Sequence, residues 1–430
     1  MKRLFLLLIA LPALVLLLIG CSDSDSMKPD PDDQVIGVVG PDLPRDTSPD
    51  VPPGNLETLV AGNHALAVDL YHELRDSEDG NLLFSPTSMR IAFAMVHAGA
   101  KGETATQISE TLNFGLAAED VPPAFNALDL ALLSRNIPAS DTEDPVELLP
   151  ANSFWGRQGF PFKTEFLAVL ATDFGAGMHV ADFQNFPEES RLAINEWVEE
   201  RTRERIADLL PGGSITDMTI ATLVNALYLK APWVKALDPA STTAEDFTLI
   251  DDSVIQTPTM HGTMSGGLVE GENFVAAELY LRGEDLSLVI IMPDKDRFAA
   301  FENDLDADQL STILGDLQPT MMDVSLPQFT FRSKFKLNEA MQRLGMILPF
   351  SGLADFTGIA DASLFISGAY HQAFIAVDEK GVEAAAATAI VVDLTSINRQ
   401  LVVDQPFLFG IRDRPTGALL FLGRVMDPSS

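Results

Sequence analysis

At 430 residues, with 62 acidic against 28 basic side chains and a formal charge of −34, the chain is repelled by phosphate backbones and anionic headgroups, which argues against nucleic-acid binding and electrostatic membrane docking. A hydrophobic share of 47% over that length can bury a large core, so the protein is neither wholly disordered nor a disulfide-stapled miniature. Its single cysteine permits no internal disulfide and no Cys-x-x-Cys or Cys/His cluster for zinc.

Lys2 and Arg3 precede an apolar run over residues 4–19 that meets Gly20 and Cys21, the charged, greasy, small-residue order of a secretory signal. The run falls short of the roughly 20 residues that span a bilayer as a helix. Its ending, Leu18-Ile19-Gly20-Cys21, resembles a bacterial lipobox, which implies cleavage before Cys21 and lipid attachment to it. An uncleaved signal anchor, or a plain signal peptide with an incidental cysteine, are the other readings. Residues 22–54 carry eight Asp, seven Pro and two basic residues, Lys28 and Arg45, and read as a solvated tether. Residues 35–39 are apolar enough to pair transiently, but are read with the rest as disordered.

Periodic sequence begins near Leu56. Ser85-Pro86 sets a capping hydroxyl and a first-turn proline before Ile91, Ala94, Met95 and Ala98, one face of a helix that Gly99 and Gly102 end and that reads as buried. Ser190 opens a second amphipathic segment, with Ile194, Trp197 and Val198 on one side and a Glu199–Arg203 pair on the other, stopped by Pro211-Gly212-Gly213. Apolar runs of strand length follow at 219–229, 286–292, 374–377, 401–411 and 418–425, nearly continuous, as in sheets covered on both faces. Helices dominate early and strands late without regular alternation, so the expected class is α+β in one large domain.

Enzyme signatures are missing: no Gly-x-Ser-x-Gly, His-Glu-x-x-His, phosphate-binding or dinucleotide-binding glycine loop is present. The six histidines, His64, His72, His97, His179, His261 and His371, are scattered singly and read as structural. The protein is read as no enzyme, and no metal or cofactor is implied.

One stretch carries conflicting signals. Residues 384–392 lack charge, proline and glycine, and their alanines permit helix while Ile390, Val391 and Val392 favour strand. By periodicity alone this is a core strand or a short buried helix. As a strand it sets Val382, Ala384, Ala386, Thr388, Ile390 and Val392 on one face, with Glu383, Ala385, Ala387, Ala389, Val391 and Asp393 on the other.

The sequence Glu379-Lys380-Gly381-Val382-Glu383-Ala384-Ala385-Ala386-Ala387-Thr388 resembles the hinge of the reactive-centre loop of inhibitory serpins. Residues 401–411, Leu-Val-Val-Asp-Gln-Pro-Phe-Leu-Phe-Gly-Ile, are similar to the serpin signature beyond that loop. Asn81 to Ser88, and Leu223 to Lys230 with Trp233, match further family motifs in the family's order. The resemblance implies a serpin fold of three β-sheets and about eight to nine helices. Together with the lipobox and tether readings, it divides the chain into a lipoprotein signal at 1–20, a lipidated Cys21 with its tether to 55, and a domain at 56–430 whose reactive-centre loop is about 379–400.

It also implies a mechanism. A serine protease cleaves the loop, becomes acylated, and is trapped when the loop inserts into the main sheet. Counting along the family's loop length from Glu379, or back from Pro406, gives the bond Thr395-Ser396; sliding by one gives Leu394-Thr395. Small, uncharged Thr395 implies elastase-like or subtilisin-like targets, with chymotrypsin-like enzymes if Leu394 is the acylating residue and cross-inhibition of cysteine proteases as a further option. Ser85, Ser88, Asn225 and His371 would form the shutter beneath the opening sheet, with Trp233 where insertion begins. Gln328 stands where many relatives have a lysine for the hinge glutamate, which puts that ion pair in doubt. The acidic segment 133–149 argues against heparin-like activators. The protein is expected to be a monomeric, exported envelope lipoprotein of the outer membrane, periplasm or cell surface. The alternative is a non-inhibitory binding or scaffold protein on the same fold.

Overall fold

The computed structural model describes residues 37–76, 78–383 and 399–430, which belong to one unit, Ile36–Ser430. Cys21, Ala384, Ala385, Ala386, Ala387, Thr388, Leu394, Thr395 and Ser396 lie outside the described residues.

The first sheet runs β1 (Gly37–Val39), β5 (Met178–Ala181), β4 (Ser153–Arg157), β6 (Ala221–Pro232), β14 (Gly381–Val382), β13 (Ala369–Asp378) and β12 (Phe329–Lys336), with β3 (Glu147–Pro150) beside β6. The second runs β15 (Arg399–Val402), β11 (Gln318–Pro327), β8 (Val254–Glu270), β9 (Phe274–Tyr280), β10 (Leu286–Pro293), β16 (Phe407–Asp413), β17 (Leu419–Val425) and β2 (Leu82–Phe84), with β7 (Thr243–Thr248) also on β8. The 17-residue β8 pairs in turn with β7, β11 and β9 and so joins what would otherwise be two sheets. Nine α-helices are present among the described residues, making the class α+β as expected.

Alternation along β6 shows why its run is continuously apolar. Leu223 joins the helical core, Val224 and Ala226 face the opposite cluster beneath helix Pro187–Arg201, and Leu227 and Leu229 pack between the sheets. Helix Pro86–His97 starts at the expected Ser85, whose hydroxyl accepts from Ser88 N–H, and it is buried as expected, on all sides and not only on the face of Ile91, Ala94 and Met95. The burial includes Arg90, whose guanidinium donates to the Leu59, Leu112 and Asn113 carbonyls while burial pushes it down to about 9.

Several sequence expectations change. The second helix spans Pro187–Arg201, so Ser190 lies inside it and the stop comes ten residues before Pro211. Proline at its first turn starts it three residues early, and Arg203, past its end, pairs with Glu147 on β3 instead of Glu199. The run 401–411 breaks into β15 and β16, since Pro406 offers no N–H to a ladder.

The largest correction concerns the tether. Residues 37–54 lie on the body: Gly37, Val38 and Val39 pair antiparallel with Val180, His179 and Met178. Arg45 donates to Asn126 Oδ1 at 2.8 Å and pairs with Asp129 at 2.7 Å, and Asn126 reaches back to the Asp46 carbonyl. A proline-rich, acidic composition reads as solvated because composition does not reveal a waiting sheet edge and a half-buried carboxylate. Arg45→Ala strands Asp129, whose carboxyl burial already pushes up. It is expected to cost about 2 kcal/mol, read as a lower denaturation midpoint; an unchanged midpoint would show the strap to be passive.

Candidate functional site

Strands β6 and β13 run parallel and are zipped over five residue pairs, from Ala369–Leu223 to Ala373–Leu227. Beyond that zipper the two-residue β14 stands between them, Gly381 opposite Pro232 and Asp378, Val382 opposite Ala231 and Val377. The sheet therefore already holds a two-residue wedge at one end. The turn before it is set by Asp378, whose carboxylate accepts from the Lys380 and Gly381 N–H groups. Only glycine fits the next position. Gly381 has φ +149°, and a Cβ there would sit 2.4 Å from the Ala231 oxygen.

Val382 is 2% exposed and belongs to the core between the sheets, on the face assigned to it by alternation. Glu383 turns the chain at φ +50°, donates its N–H to the Ala376 carbonyl, and forms an ion pair with Arg205, which follows helix Pro187–Arg201 and lies over the Phe374 ring. Burial pushes the Glu383 carboxyl up, and Arg205 opposes that shift. The guanidinium is half exposed, so Arg205→Ala is expected to change global stability by no more than about 0.5 kcal/mol. Hydrogen exchange at the Glu383 amide should nonetheless quicken several-fold; unchanged exchange would show that the pair does not hold the hinge.

Trp233 is buried where the wedge begins. Its backbone N–H donates to the Lys380 carbonyl at 2.8 Å and its indole Nε1 to the Asp378 carbonyl at 2.9 Å. Glu379 accepts a hydrogen bond from the Thr242 hydroxyl, while the Gln328 backbone N–H goes to Pro258. A neutral hydroxyl contact thus occupies the hinge glutamate in place of the lysine pair that was in doubt.

Beneath the wedge, the zipper holds a polar network. His371, fully buried on β13, sits opposite Asn225 on β6. Its Nε2 accepts from the Ser85 N–H at 3.0 Å, so the ring proton is on Nδ1 and donates to Asn225 Oδ1 at 2.6 Å. The Asn225 amide donates to Ser88 Oγ and Asn152 Oδ1, and the Ser88 hydroxyl also reaches Asn152. Burial pushes the His371 imidazole down to about 3, so it stays neutral across the physiological range. Ser85, Ser88, Asn225 and His371 are thereby brought into one chain of hydrogen bonds that joins both strands to the helix beneath.

A family model described as Serpin (serine protease inhibitor) matches residues 61–428. The chain belongs to the serpin family. It is 33% identical over 381 residues to a serpin-like protein of Thermococcus kodakarensis, covering 87% of each chain. It is likewise 33% identical over 386 residues to the leukocyte elastase inhibitor of Sus scrofa, covering 87% of this chain and all of that one. The native-state structure of tengpin, a thermophilic serpin, superposes with a TM-score of 0.78 at 25% identity, covering 90% of this chain and 97% of that one.

In this serpin three contacts escaped the sequence. Asn152 precedes a strand with nothing to mark it. Arg205 sits among charged residues that read as a solvated face, and Thr242 is one hydroxyl in a run of them. Each acquires its role only from a partner far along the chain.

Proposed function

We propose that this serpin inhibits a serine protease as a suicide substrate, from an envelope to which Cys21 anchors it through lipid. The protease serine attacks the Thr395 carbonyl and the bond to the Ser396 nitrogen breaks. The amine departs with the proton, and Thr395 is left as an ester on the enzyme. Insertion of the loop as a strand then competes with water for that ester; strand addition and release of stored strain are known features of serpins.

The observation that carries this reading is the wedge. Two loop residues already pair with both neighbours, and the core-side residues that follow are small or apolar, so each further residue can pair with β6 and β13 as the direct pairing of those two strands opens ahead of it. The uncharged stretch 384–392 would be an aggregation hazard if exposed permanently, which also fits temporary exposure. Thr395, with Leu394 beside it, suits elastase-like or subtilisin-like enzymes.

The test mixes the chain from Ile36, which keeps the strap, with one protease of each kind on denaturing gels. A detergent-resistant adduct together with a peptide running from Ser396 to Ser430 is the expected result. Cleavage at Thr395-Ser396 by both enzymes without any adduct would favour the scaffold reading.

A further inference from the structure

The strand registers fix where the N-terminal segment leaves the body. Gly37 pairs with Val180, Val180 with Gly156, and Gly156 with Ala221, so these four residues form one row across the first sheet. That row is at the start of β6. The wedge sits at its other end, at Ala231 and Pro232, about 33 Å away at strand rise. The chain leading back to Cys21 thus leaves from the end of the sheet remote from the reactive loop.

The same registers fix where an inserted loop would end. Strand β14 is antiparallel to β6, with Val382 opposite Ala231, so each added residue advances one position toward Ala221. Continued at that register, Val392 comes opposite Ala221 and Thr395 opposite Met218, about 10 Å past the row that holds Gly37. Sideways, β1 is separated from β14 by β5, β4 and β6, about 19 Å at the usual strand spacing. A protease domain of about 230 residues is roughly 45 Å across. An enzyme esterified to Thr395 would therefore cover the point where the N-terminal segment leaves.

We propose that residues 21–36 are a spacer matched to the trapped enzyme: with Cys21 held at a surface, insertion carries the protease to the anchored end, and the spacer must clear it. The proposal rests on the inhibitory reading. From Cys21 to Gly37 the backbone reaches at most about 55 Å, enough to pass a protease. Removal of residues 24–34 leaves at most about 18 Å, which is not enough. Cleavage is expected to be unaffected in either case, because the loop sets out from the wedge, at the end of β6 away from Gly37.

The chain from Cys21 to Ser430 can be coupled through its one cysteine to maleimide-bearing lipid in neutral phosphatidylcholine vesicles, whether or not the cell lipidates it. The readout is the ratio of covalent adduct to cleaved, released protein, on vesicles and after detergent. Full-length spacer should give the same ratio in both. The variant lacking residues 24–34 should lose at least threefold on vesicles and match full length in detergent, and a Gly/Ser replacement of equal length should restore it. Normal trapping by the shortened variant on vesicles, or no rescue by the replacement, would overturn the spacer proposal. Absence of adduct from every form in detergent would overturn the inhibitory reading, and the spacer with it.

Discussion

Val382→Arg is expected to abolish the covalent adduct and turn the protein into a plain substrate of its protease. The valine is 2% exposed between Val377 and Ala231, in the apolar layer between the sheets. The described residues clustered in that layer are hydrophobic, and burying a guanidinium unpaired among them costs several kcal/mol. If about 4 kcal/mol is felt in the insertion step, insertion slows by roughly a thousandfold, and hydrolysis of the ester wins. The resting fold can relax by expelling the hinge and closing β6 against β13, so the variant should remain folded. Denaturing gels with excess protease should show only the cleaved chain, and Val382→Ile should keep the adduct. An adduct from Val382→Arg at the natural yield would mean that this face does not enter the core.

Acidification is the second large effect. His371 is held near 3 in the fold and has an ordinary value of 6.5 when unfolded, so between those values the unfolded chain binds a proton that the native fold refuses. Stability contributed by the neutral ring is thus fully present above about pH 6.5 and is lost as pH falls, by up to ~1.4 kcal/mol per unit from this one group. A second proton on the ring would set Nε2–H against the Ser85 N–H, donor facing donor, at the zipper that holds β6 to β13. His64, His97 and His179 are also pushed down by burial and act in the same direction. Denaturation midpoints should fall steeply between pH 6.5 and 4.5, and less steeply in His371→Gln, which starts lower. Equal slopes in the two proteins would show that His371 does not govern the acid sensitivity.

Much of the fold was legible because its signals are local. Ser85-Pro86 marks a helix start through hydrogen bonds made within one turn, and the unbroken apolar run of β6 declares a strand covered on both faces. The hinge was readable in part: a period of two is enough to put Val382 and Glu383 on opposite faces, whereas the contact with Ala231 that demands Gly381, and the cover over Glu383, come from distant residues. Misreadings arose where a local signal competed with a distant partner. Ser190 looks like a cap, yet Pro187 starts the helix; Glu199 is spaced to pair with Arg203, yet β3 brings Glu147 to it.

By itself the sequence determined the class and the family's motifs, and it named a candidate bond and a candidate anchor, since each depends on residue identity at fixed spacing along the chain. Only the tertiary structure decided that residues 37–54 strap the body, that Asn152 joins the hydrogen-bond network of Ser88 and Asn225, that Thr242 meets Glu379, and that Arg205 meets Glu383. These contacts join residues from about 70 to 180 positions apart, or add a strand to an edge whose unpaired N–H and C=O groups exist only once the sheet has formed. Composition describes how a segment behaves in water; what lies beside it after folding is set by the rest of the chain.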